Sequence, residues 1–316
     1  MSTLAAPLGV LLDDELRYDP VTVQDFSDHL PMALVALDRL GASDARLAEF
    51  AEHYARSLVP VRDSVRAVRD RYATDVTSLG IDGAVGAHLP RFVPGIGSAA
   101  FHGVIRLAYA IEARHAGQVA AALAYCEAVD EPLSAEPPTE TGDDPVALLD
   151  RVRANPVLAG RRFRAASISD RMAEVAAMPE FATTGGLALR ADSLDRIAAA
   201  ARALHAVTGD FTALHAVTGT HAVRVVLPFL DHAQQRLALR FLFQAIAAAY
   251  VTIGTPRITP VDTASAPGWD DIVACSLASD DEHVVKLAYT AREESAVHGD
   301  DATYRWCAAL EAGLVS

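Results

Sequence analysis

Apolar residues recur three and four positions apart along most of the chain, whereas alternating runs rich in β-branched residues are scarce. That spacing predicts an all-α fold, a bundle-like assembly of many helices. The segment TVQDFSDHLPMALVALDRLGA reads as a helix that ends at Gly41. SDARLAEFAEHYARSL follows it with Ser43 as the cap and closes before Pro60. The buried-looking stretch from Ser98 to Val129 reads as one helix, or as two that meet near Gly117. Residues 130–145, DEPLSAEPPTETGDDP, are polar and rich in Pro, Glu and Thr, which predicts a surface loop. A second helical half runs on to the C-terminus, interrupted near TTGGLALRADS and TIGTPRITPVDTASAPGWD. Chemically suggestive residues lie on both sides of the loop, so residues 1–316 are expected to form one domain. The pentapeptide HAVTG occurs twice, from His205 and from His215. A period of ten is shorter than the roughly 20 to 50 residues of a solenoid unit, so this repeat reads as coincidence.

Composition narrows the class of partner. A chain of 316 residues with 51% hydrophobic content can build a large core. Its net charge of -14 disfavours nucleic acid and anionic membrane surfaces, both of which require a basic face. The longest apolar stretch, LALRFLFQAIAAAYVTIG, is broken by Arg and Gln and reads as a buried helix rather than a membrane span. The N-terminus lacks a positive region and meets acidic residues early, so no secretory signal is expected and a cytoplasmic location follows. Cys126, Cys275 and Cys307 are widely spaced with no CxxC, which indicates neither a disulfide framework nor a thiolate zinc site.

Candidate chemistry concentrates in histidine and lysine. GIGSAA, from Gly95, fits a loose GxGxxA pattern but follows a proline-flanked run rather than a strand, and no phosphate-binding GxxxxGK[ST] or GxSxG elbow is present. His29, His102, His215 and His221 stand in apolar helical surroundings. Each one alone reads as a core histidine satisfied by a carbonyl, but four together raise the prospect of a metal site, since neutral imidazole is the commonest metal ligand. His215 and His221 lie six apart, about 120° from a common helical face, and would converge only if the helix broke at Gly219. Of 27 basic residues 26 are arginine, and the one lysine is Lys286. It stands four residues after Glu282, a spacing that fits a surface ion pair. Arginine would serve that purpose equally; unlike arginine, however, a desolvated lysine can lose its proton and then attack a carbonyl or take up carbon dioxide as a carbamate.

Four segments, HLPMALVALDRLGAS, FHGVIRLAYAIE, FTALHAVTGTHAVR and DEHVVKLAY, resemble the questin oxidase-like family of fungal anthraquinone and aflatoxin pathways, and they occur in that family's order. The resemblance implies a mononuclear non-heme iron, Fe(II), in the helical core, bound by four histidines and a carboxylated lysine. Carried over by motif these are His29, His102, His215, His221 and Lys286, while His205 lies outside the pattern. Thr218 and Thr220, between two of these ligands, are expected to support them and join Lys286 as catalytic candidates. The implied substrates are a polycyclic phenol or quinone and O2, with oxygen inserted beside a carbonyl or a ring C–C bond cleaved. Fungal members are considerably longer, so anthraquinone specificity carries over least well. The alternatives are an NADPH-assisted Baeyer-Villiger-type oxidase without metal, a Schiff-base lysine enzyme, and a non-catalytic helical binding protein. The substrate and the oligomeric state stay open at this level.

Overall fold

A computed structural model describes residues 7–299 and 301–316. These residues form fifteen α-helices and two small two-stranded sheets, an all-α architecture as the periodicity predicts. The first half contains α1 (Leu8–Glu15), α2 (Leu30–Leu40), α3 (Asp44–Tyr54), α4 (Asp63–Phe92), α5 (His102–Glu112) and α6 (Ala116–Ala128). The second contains α7 (Pro145–Ala154), α8 (Ile168–Ala176), α9 (Pro179–Thr184), α10 (Ser193–Thr208), α11 (Phe211–Val226), α12 (His232–Thr252), α13 (Trp269–Ala278), α14 (Glu282–His298) and α15 (Asp301–Glu311). Strand β1 (Tyr18–Thr22) pairs antiparallel with β2 (Leu58–Pro60), and β3 (Glu140–Gly142) pairs parallel with β4 (Gly186–Leu187). Among the described residues no helix is long and apolar enough to cross a membrane.

Several boundaries differ from the sequence expectation for local reasons. The helix expected from Thr22 begins only at Leu30, because Asp28 accepts the Leu30 N–H through Oδ1 and Pro31 occupies the first turn, where its missing N–H is harmless. It ends on Gly41 in the left-handed conformation, φ 98°. The stretch 98–129 is two helices, separated at Arg114, φ 51°, with the His115 side chain capping α6. Residues 130–145 are irregular apart from β3 and the start of α7.

One continuous hydrophobic core runs from Leu11 to Ala309. At its centre α2 packs on α5, α5 on α11, α11 on α14 and α14 back on α2, which closes a ring of four helices. Buried alanines such as Ala33, Ala36, Ala108, Ala213, Ala216, Ala288 and Ala291 keep these helices close together.

Candidate metal centre

Each helix of that ring begins with chemistry. His29 is the N-cap of α2, His102 is the first residue of α5, His215 lies in the second turn of α11, and His283 and Lys286 lie in the first two turns of α14. Four helix N-termini therefore meet, and their dipoles favour negative charge there, part of which Asp28, Asp210 and Asp281 already supply by accepting the N–H groups of Leu30, Thr212 and His283.

The approach to His102 is conformationally costly. Ala99, Ala100 and Phe101 all adopt positive φ, at 47°, 54° and 69°, in a left-handed turn that costs roughly 1–2 kcal/mol per residue. Such strain persists only where its surroundings enforce it. Here the fully buried Phe101 ring lies against Gly219, whose hypothetical Cβ would stand 2.8 Å from two ring atoms. Gly219 is thus required for close approach and not for a helix break, since α11 runs on without interruption from Phe211 to Val226. The turn presents the Ala99 carbonyl to His102 Nδ1–H at 2.5 Å.

The four imidazoles form a closed circuit. Ring centroids are 4.8 Å apart for His29 and His102, 4.8 Å for His102 and His215, 5.6 Å for His215 and His283, and 4.7 Å for His283 and His29. His215 Nδ1–H donates to the Phe211 carbonyl at 2.7 Å, and together with the Ala99 contact this leaves His102 and His215 with Nε2 lone pairs directed inward. Nε2 of His29 lies 2.8 Å from Nε2 of His102, and Nε2 of His215 and of His283 have no hydrogen-bond partner among the described residues. Burial and the neighbouring Lys286 charge hold the imidazoles neutral: His102 is pulled down to about 3, and His29 and His215 lie well below the usual histidine range. Lys286 is 2% exposed, and its Nζ is 3.1 Å from His29 Nδ1. Burial lowers its amine to about 8 against the opposing charges of Glu282 and Asp281. Glu282 Oε1 lies 3.4 Å from His29 Nδ1 and 3.6 Å from His283 Nδ1. The half-exposed Phe211 ring covers His215 and His283 edge to face, with centroid separations of 4.7 and 4.6 Å.

Among the described residues His29, Glu282 and His283 each bring one ligand atom within 4.8 Å of the others, and with His102 and His215 beside them the donors suit a transition metal. Neutral imidazoles with orphaned, buried lone pairs are the ligand form of histidine, and buried polar atoms without partners are otherwise costly. The 2.8 Å between two Nε2 atoms is close to the edge of a coordination polyhedron with metal–nitrogen bonds of about 2.0–2.1 Å. A backbone carbonyl behind each of His102 and His215 is the usual device for fixing a ligating tautomer.

Of the residues singled out from sequence, His29, His102, His215 and Lys286 are brought together, and His221 is not. His221 lies six residues beyond His215 on an unbroken helix, about 9 Å further along its axis. Its Nδ1 is 2.7 Å from Glu294 Oε1 and its Nε2 is 3.3 Å from Glu112 Oε1. Burial opposes its charge, but these two carboxylates outweigh burial and raise it to about 9, the reverse of the other four imidazoles. Thr218 and Thr220 donate within their own helix, Thr218 to the carbonyls of Leu214 and His215 and Thr220 to that of Ala216, so neither hydroxyl reaches a ring. His205 lies apart, 3.7 Å from Glu311. The histidine that completes the circuit, His283, went unremarked in the sequence. Its signal was its place three residues before Lys286 in HVVK, a spacing that puts both on one helical face.

No curated protein matches this sequence. A family model described as Questin oxidase-like matches residues 72–291, which carry His102, His215, His283 and Lys286, while His29 joins them from outside the matched segment. On that match the chain belongs to the questin oxidase-like family and is an oxidoreductase.

Proposed function

We propose that this protein is a non-heme iron oxygenase that uses O2 to oxidise an electron-rich hydroxylated polycyclic aromatic of the anthraquinone type. His29, His102, His215 and His283 would hold Fe(II) through neutral imidazole, and Lys286, carboxylated, would add the one anionic oxygen ligand. The observation that carries this reading is the closed circuit of four neutral imidazoles, three buried and His283 partly so, around a lysine of lowered basicity. When bound, the iron supplies a template and a redox centre for dioxygen and the phenol.

The chain's own groups do the rest. At a pH near 8 about half of the Lys286 amine is free of its proton and able to take up carbon dioxide. The four converging helix N-termini favour the resulting anion and an ionised phenol beside it. Burial of all but the Phe211 and Glu282 side of the cluster excludes water from the reacting atoms.

The test is metal analysis of protein reconstituted anaerobically with Fe(II) and bicarbonate, followed by O2 uptake with a hydroxyanthraquinone. About one equivalent of iron and substrate-dependent uptake are expected. Less than about 0.2 equivalents overturns the reading. A Schiff-base enzyme would use the same amine, and borohydride trapping of a carbonyl compound on Lys286 in iron-free protein would favour it.

A further inference from the structure

The hydrogen bonds around His29 put its proton on Nε2, the wrong tautomer for ligation through that atom. Lys286, as the ammonium, donates to His29 Nδ1 at 3.1 Å, which places the His29 proton on Nε2, where it donates across 2.8 Å to the free Nε2 of His102. His102 in turn donates from Nδ1 to Ala99. For His29 Nε2 to become a ligand, that proton must leave and Nδ1 must carry one, and Nδ1–H then needs an oxygen acceptor. His102 and His215 have theirs in backbone carbonyls. His29 stands outside regular helix as an N-cap and has no such carbonyl among its hydrogen bonds; its backbone N–H donates to the Tyr54 hydroxyl. Among the described residues the carboxylate oxygen near its Nδ1 is Glu282 Oε1, at 3.4 Å, while Nδ1 of His283 has two, Asp281 Oδ1 at 3.5 Å and the same Glu282 oxygen at 3.6 Å.

We infer that Glu282 is a positioning residue for the metal, the acceptor of the Nδ1–H group of His29 and, together with Asp281, of that of His283 once both turn Nε2 to the ion. The inference rests on the metal-centre reading above and goes beyond its ligand set. Glu282 thereby acts through two imidazoles rather than as the surface partner of Lys286, and it ties the α2 ligand to α14. With the His29 proton donated to Glu282 and the His283 proton to Glu282 or Asp281, all four imidazoles present the same face to the centre, each with an oxygen behind it.

Co(II) is the probe, because its visible d–d absorption reports coordination without turnover. Wild-type protein should bind about one equivalent. E282A should weaken the Co(II) Kd by about 10- to 100-fold and broaden the spectrum, and E282Q, which keeps the shape and one acceptor oxygen, should fall between the two. Thermal unfolding of the metal-free variants accompanies the titrations, and should the Ala variant fail to fold, the Gln variant carries the test. An affinity within twofold of wild type and an unchanged spectrum in the folded variant overturn the inference. An E282Q spectrum that shows one ligand fewer also overturns it, since Glu282 would then be a ligand itself. Failure of the wild type to bind Co(II) instead sinks the metal-centre reading, a result distinct from either.

Discussion

His221 and His283 show how a single residue's role turns on its neighbours. Both are histidines near a helix in the ring, yet one is held charged between Glu112 and Glu294 and the other neutral beside Lys286. On the proposed metal site, H283A is therefore expected to take up far less iron than wild type and H221A as much, as read by metal analysis of the folded variants after reconstitution. H221A should instead lower stability by about 3–5 kcal/mol, because Glu294 is left buried without one of its partners. The folded-state pKa of His221 is raised, from 6.5 to about 9. Its contribution is thus fully present below about pH 6.5 and lost as pH rises through about 9, so urea titrations of wild type and H221A should draw together at pH 10. Lys286 runs the other way. Its folded pKa is depressed from 10.5 to about 8, so the unfolded chain binds more protons between those values and the metal-free protein gains stability as pH rises through that window. K286M should accordingly be more stable than the metal-free wild type at pH 7, by about 3 kcal/mol, with the difference shrinking by pH 10. A smaller gap at pH 10 for neither variant would refute both electrostatic assignments.

At the scale of elements, the left-handed turn before α5 and the glycine in α11 are one device. A Cβ at Gly219 would strike the Phe101 ring, and the ring sets the turn that delivers the Ala99 carbonyl to His102. G219A is expected to cost about 1–3 kcal/mol and to weaken metal binding as well, although residue 219 touches no ligand ring. Denaturant titration and Co(II) affinity measured on the same preparation check this, and a loss of stability with unaltered affinity would break the link. The sequence announced much of the helical layer: the Gly41 stop, the Ser43 cap and the loop after α6 follow from local chemistry that a nearest-neighbour reading can see. It gave no sign of positive φ at Ala99 and Ala100, because alanine in that conformation is imposed by packing from residues more than a hundred positions away.

Over the whole molecule, the centre joins side chains from residue 29 to residue 286, so an ion there ties together α2, α5, α11 and α14. Loading it should raise stability by RT ln(1 + [metal]/Kd), about 4 kcal/mol at a thousandfold excess over Kd. Calorimetry before and after chelation measures the shift, and an unchanged melting temperature would mean that the ion, if bound, lies elsewhere. What the sequence determined by itself was the helical class, read from apolar spacing, and the few residues able to do the chemistry: a lone lysine among arginines and histidines in apolar company. Only the tertiary structure decided which histidines stand with that lysine. Helical periodicity fixes the face on which a side chain lies but not which end of its helix meets the other three, and it was the meeting of four N-termini that gathered His283 in and left His221 two turns away with its carboxylates.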